Sequence, residues 1–113
     1  MPDQVAAIDP HEAAHRIAGP EPGALLVDVR EPNEFAERRI PGALPMPLSR
    51  LAEDYQQLPT DRPIITQCAS GKRSLVAAEF LSRHGYAEVS NLEGGIIAWQ
   101  AAGLPTDDQS PAE

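Results

Sequence analysis

Thiols are almost missing from this 113-residue sequence: Cys68 is its single cysteine. That excludes an internal disulfide and any multi-cysteine zinc or iron–sulfur centre. Aromatic residues are scarce too, with one Trp, two Tyr and two Phe. Leu, Ile, Val and Phe together number 24, close to the level below which chains stay disordered. The core must therefore be small and partly filled by alanine. No apolar run exceeds a few residues, which excludes a transmembrane helix. Met1-Pro2-Asp3-Gln4 lacks the basic segment and apolar stretch of a signal peptide, so the expected compartment is the cytoplasm. Basic residues are outnumbered, nine Lys and Arg against 17 Asp and Glu, for a net charge of −8. Such a surface repels phosphate backbones. Neither nucleic acid nor a membrane is an expected partner, and an anionic substrate needs a local basic patch.

What is present is punctuation. Twelve prolines and eight glycines break a length suited to one domain. That domain is expected over residues 5–105. Residues 106–113 are polar and acidic and read as a disordered tail; the first few residues are also expected to be loose. Asp9-Pro10-His11-Glu12 carries a cap, a first-turn proline and a capping-box glutamate. Ala13, Ala14, Ile17 and Ala18 then share a helix face that ends at Gly19. Ala24 to Val29 is a short, nearly continuous apolar run, typical of a strand buried on both faces of a parallel sheet, and Pro63 to Cys68 reads as a second buried strand. Glu88 to Leu92 is a third strand candidate. Ala43 to Pro47 adds a short extended segment. Pro32 to Phe35 reads as a helical turn, and Ser49 as the cap of a helix with Leu51, Tyr55 and Leu58. Helices are expected from Lys72 to His84, burying Val76, Ala77, Phe80 and Leu81, and after Gly94-Gly95, with Ile96, Ile97 and Trp99. Strands alternating with helices give an α/β domain with a mainly parallel sheet.

The chemistry concentrates in Cys68-Ala69-Ser70-Gly71-Lys72-Arg73-Ser74, between a buried strand and a helix start. Sites in open α/β sheets form beyond the carboxyl ends of strands. A tight turn there aims successive backbone N–H groups into one concavity beside a positive helix end, which attracts an anion. Lys72 and Arg73 add charge, and Gly71 permits the tight path. A thiol in that setting has a lowered pKa. A lone cysteine at the end of a strand also reads as a small buried hydrophobe; the glycine, the two cations and the helix start favour the reactive thiol. Arg73 is an ion-pair candidate for Asp28 or Glu34. His11, His15 and His84 have no metal-site spacing, and Trp99 reads as core.

These residues resemble the rhodanese-like family, specifically its small single-domain sulfurtransferases. Leu26-Val27-Asp28-Val29-Arg30 with Glu34-Phe35 looks like the first family signature. Ile40-Pro41-Gly42-Ala43 looks like the second, and residues 68–74 match the active-site loop. Gly85-Tyr86, Leu92-Glu93-Gly94-Gly95 and Ala98-Trp99 match the C-terminal signature. The resemblance spans about Asp9 to Pro105 and implies a three-layer sandwich with a mainly parallel central sheet between helices. It implies that Cys68 is the nucleophile, taking sulfur from thiosulfate or a persulfide donor and passing it, through a Cys68 persulfide, to a thiol or cyanide acceptor. The N–H groups of Ala69, Ser70, Gly71, Lys72 and Arg73 would cradle that persulfide. Lys72 would attract the donor and Arg73 would brace the loop. Asp28, Arg30, Glu34 and Ser74 would support it, Asp28 and Arg30 as a structural ion pair. No metal or organic cofactor is implied. The six-residue loop from Cys68 to Arg73 is the sulfur-transfer size; related phosphatases and arsenate reductases have one residue more. Rival readings are a sulfur relay fed by a persulfide-carrying protein, and a non-catalytic interaction module, which would have lost the cysteine or the loop cations. Two positions depart from the family pattern: Arg39, where histidine is common, and Gln67, where an aromatic or aliphatic residue is frequent.

Overall fold

Asp9 opens the first helix as expected: its carboxylate accepts the Glu12 N–H at 2.8 Å, and α1 runs Pro10–Ile17. The computed structural model that shows this describes residues 5–20 and 23–108. The expectations for residues 1–4 and 109–113 lie outside those described residues. The two strongest apolar runs form β2 (Leu25–Asp28) and β5 (Ile64–Gln67). They pair in parallel, with Leu25 opposite Ile64 and Asp28 opposite Gln67. β6 (Val89–Leu92) lies on the far side of β5, and β4 (Leu44–Pro45) on the far side of β2. A strand not expected from the sequence, β1 (Ala6–Ile8), completes the sheet against β6. The order is β1-β6-β5-β2-β4 and every pairing in it is parallel.

Parallel strands with both faces covered bury both faces, and two apolar layers flank the sheet. On one face Leu51 of α3 (Leu48–Asp54) and Ala77, Ala78 and Leu81 of α4 (Lys72–Arg83) pack on Val27, Val29 and Ile64. On the other, Ala13 of α1 and Ile96 and Trp99 of α5 (Gly95–Ala101) pack on Leu26, Ile65 and Leu92. A further short helix, α2 (Pro32–Glu37), follows β2. This is the three-layer sandwich.

Several local expectations are corrected. Ser49 does not cap α3; Pro47 occupies that position, at φ −54°, and Ser49 is exposed within the first turn. Val76 is 55% exposed and Ile97 61%. The buried stripe of α4 is Ser74, Ala77, Ala78 and Leu81, a face that Val76 cannot share at 3.6 residues per turn. Asp107–Asp108 forms β7, not a loose tail: it pairs antiparallel with β3 (Arg38–Arg39), setting Asp108 opposite Arg38 and Asp107 opposite Arg39. Opposite charges facing across a ladder favour that pairing, and Arg38 also bonds the Asp108 carboxylate. No helix among the described residues is long and apolar enough to cross a membrane.

Candidate active site

Parallel strands deliver their carboxyl ends to one edge of the sheet. Cys68 directly follows β5 there, with Arg30 two residues beyond β2. Gly71, at φ +99°, turns the chain from β5 into α4. A side chain would be strained at that φ, and its Cβ would stand 3.1 Å from the Gly94 nitrogen. The loop is thus packed tightly against the turn around Gly94.

The Cys68 sulfur is buried, with the residue 1% exposed. It does not rest only on hydrocarbon. It accepts hydrogen bonds from the Gly71 N–H at 3.1 Å, the Ser74 N–H at 3.3 Å and the Ser74 hydroxyl at 3.4 Å. Burial pushes the thiol pKa up, but the Ser74 hydroxyl and the N–H groups of Ser74, Gly71 and Ser70 outweigh it and hold it below its ordinary value. Such donors stabilise the charged form more than the neutral one. Ser74 supplies two of these contacts, although its sequence position marked it only as supporting.

An amide points its N–H inward only if its carbonyls are kept out, because C=O and N–H lie on opposite sides of a planar trans peptide. Here the loop carbonyls are tied away from the sulfur. The Cys68 carbonyl accepts from Ile96 N–H at 2.9 Å and from Gln67 Nε2 at 2.8 Å. The Ala69 carbonyl accepts from Ile97 N–H at 3.2 Å. The Gly71 carbonyl accepts from Asn91 Nδ2 at 3.0 Å. The start of α5 reaches these carbonyls because Gly95 has no side chain. A Cβ there would lie 2.3 Å from the Cys68 oxygen and 2.5 Å from that of Ala69. Asn91, Gln67 and Gly95 were not picked out as site residues from sequence. Gly94-Gly95 was visible as a turn, but nothing local showed what it approached.

The charged residues fall into pairs. Arg73 donates to both Glu34 oxygens, at 2.9 and 3.1 Å, and the Arg73 guanidinium is the main reason the Glu34 pKa drops to about 2. Glu34 Oε1 also caps α2 by accepting the Glu31 N–H at 2.9 Å. The buried Asp28 carboxylate takes three bonds from the Arg30 side chain, the shortest 2.8 Å, while Arg30 Nη2 also donates to the Arg38 carbonyl at 2.6 Å. Asp28 and Arg30 thus tie the end of β2 to β3. Arg39 donates to the Phe35 and Ala36 carbonyls. Lys72 and Ser70 are exposed.

A family model described as "Rhodanese-like domain" matches residues 9–102. A protein from Allochromatium vinosum named "Sulfurtransferase" is 43% identical over 101 residues, covering 89% of this chain and 94% of that protein. "Thiosulfate sulfurtransferase GlpE" of Pseudoalteromonas translucida is 33% identical over 78 residues, 69% of this chain and 74% of that protein. Among solved structures, a rhodanese-related protein from Thermoplasma volcanium superposes with a TM-score of 0.82 at 32% identity, covering 90% of this chain and 97% of that one.

Proposed function

The chain belongs to the rhodanese-like domain family, and on that premise we propose that it is a sulfurtransferase working through a persulfide on Cys68. Relatives named as sulfurtransferases support sulfur transfer in general. The observation that carries the finer reading is the Cys68 sulfur beneath two N–H groups and a hydroxyl. A thiolate so held attacks the outer sulfur of thiosulfate. The S–S bond breaks and sulfite leaves with its electron pair. Cys68 then carries a terminal sulfur bearing one negative charge, which the same donors stabilise. An acceptor such as cyanide or a thiolate attacks that terminal sulfur and bonds to it, the S–S bond to Cys68 breaks, and the electrons of that bond stay on Cys68 as thiolate. The cycle is double displacement with no net redox change in the protein.

In this reading Lys72, exposed beside the loop, draws in the anionic donor, and Arg73 braces the loop through Glu34. No step calls for a metal or organic cofactor, and the cytoplasm is the proposed compartment. The proposed donor is thiosulfate or a persulfide. Incubation with thiosulfate and cyanide should yield thiocyanate with the wild type and none with Cys68→Ser. Equal rates for the two proteins would rule the mechanism out. A sulfur relay would give slow turnover here and fast transfer only once a persulfide-carrying partner is added.

A further inference from the structure

Gln67 is fully buried at the end of β5. Its Nε2 donates to the Cys68 carbonyl at 2.8 Å. Among the described residues its Oε1 is a buried side-chain oxygen with no hydrogen-bond partner. The orientation of the amide is set by chemistry: only the nitrogen end can face a carbonyl oxygen. A buried acceptor left unpaired is destabilising, so an apolar side chain of the same length would suit this interior better. The chain places here a group that stabilises one peptide plane and little else. That plane is the first of the loop. Its carbonyl is gripped from one side by Gln67 and Ile96, so its N–H, that of Ala69, faces the opposite way.

Resting on the sulfur-transfer reading, we propose that Gln67 is a positioning residue: its side-chain amide holds the Cys68 carbonyl outward and so fixes the first peptide plane of the turn whose later Gly71 and Ser74 N–H groups reach the sulfur. It touches neither donor nor acceptor, and acts through the Cys68–Ala69 peptide. Asn91 does the same for the Gly71 carbonyl from the neighbouring strand. The two amides brace opposite ends of one turn. Ile96 N–H remains as a second donor to the Cys68 carbonyl, so losing Gln67 loosens the plane and does not free it.

The test compares wild type with Gln67→Met, which keeps length and volume and removes both amide ends. The readout is the pH profile of Cys68 alkylation by iodoacetamide, with thermal unfolding alongside. Lys72 and Arg73 on α4, Glu34 on α2, Asp28 and Arg30 near the end of β2 and Glu93 after β6 are unchanged in the variant, so a shifted midpoint reports on amide alignment. The expected result is a higher midpoint and about threefold slower alkylation below it, at a Tm equal to or above that of wild type. A midpoint that does not move, in a folded variant, overturns the proposal. If Gln67→Met fails to fold, an NMR titration of the wild type decides. The Gln67 Hε2 shifts should follow Cys68 ionisation, and shifts that stay flat overturn the proposal. Alkylation needs no sulfur donor. Absent sulfur transfer with a shifted midpoint would count against the function and leave Gln67 in its role; intact transfer with an unmoved midpoint would do the reverse.

Discussion

Arg73 grips both oxygens of Glu34, 39 residues earlier in the chain, at 2.9 and 3.1 Å. The bond joins the last residue of the sulfur loop to the first turn of α2. Both side chains are about a third exposed, so solvent screens the pair and its main effect is to fix the loop. The Glu34 carboxyl, at about 2, lies below its ordinary 4.5. A depressed carboxylate contributes stability that is complete above the unfolded value and is lost as pH falls through the folded one. Glu34→Gln should therefore lower stability at pH 7 by about 1 kcal/mol or less. The difference from wild type should shrink between pH 4.5 and 2. Denaturant unfolding at several pH values measures this; a gap that widens toward acid would contradict it.

Ser74 gives the sulfur both its N–H and its hydroxyl. Ser74→Ala removes only the hydroxyl. The thiol pKa should rise toward its ordinary value, and alkylation below the midpoint should slow about three- to tenfold. An unchanged pH profile would assign the lowered pKa to the backbone alone.

Gly95 marks the closest approach in the site. Gly95→Ala would drive a methyl group against two loop carbonyls at a φ of +62°. We expect a loss of about 3 kcal/mol in unfolding free energy and slower sulfur transfer in the protein that still folds. Wild-type stability in this variant would mean the loop yields easily, against the packing described.

Lys72 is exposed on the first turn of α4. Lys72→Ala should raise the KM for thiosulfate about threefold at low salt, less at high salt, and leave Tm unchanged. Identical KM values would remove Lys72 from donor capture.

What could be read before folding was local. Asp9 caps α1 by accepting the N–H three residues on, while the Glu12 carboxylate takes Arg16 instead of closing the capping box. Pro63-Ile64-Ile65 opening a short stretch that ends at Cys68 declares a buried strand, even with the polar Thr66 and Gln67 inside it. The stretch from Cys68 to Ser74 carries its glycine and cations together. What could not be read depends on partners far along the chain. Ala6–Ile8 is weak as a strand and becomes one by pairing with β6. Asp107 and Asp108 look like solvated tail until two arginines face them. Val76 and Ile97 are apolar yet exposed, because Ser74 and Ile96 set the rotation of their helices. Gln67 stood out as a departure from pattern, and its bond to the next residue's carbonyl emerges only once the loop is closed.

The most direct test is intact-mass spectrometry of the protein after treatment with thiosulfate. A gain of one sulfur atom, removed by a reducing thiol or by cyanide and absent from Cys68→Ser, is the predicted result. A wild-type mass that does not change, or a gain that survives in Cys68→Ser, would contradict a Cys68 persulfide.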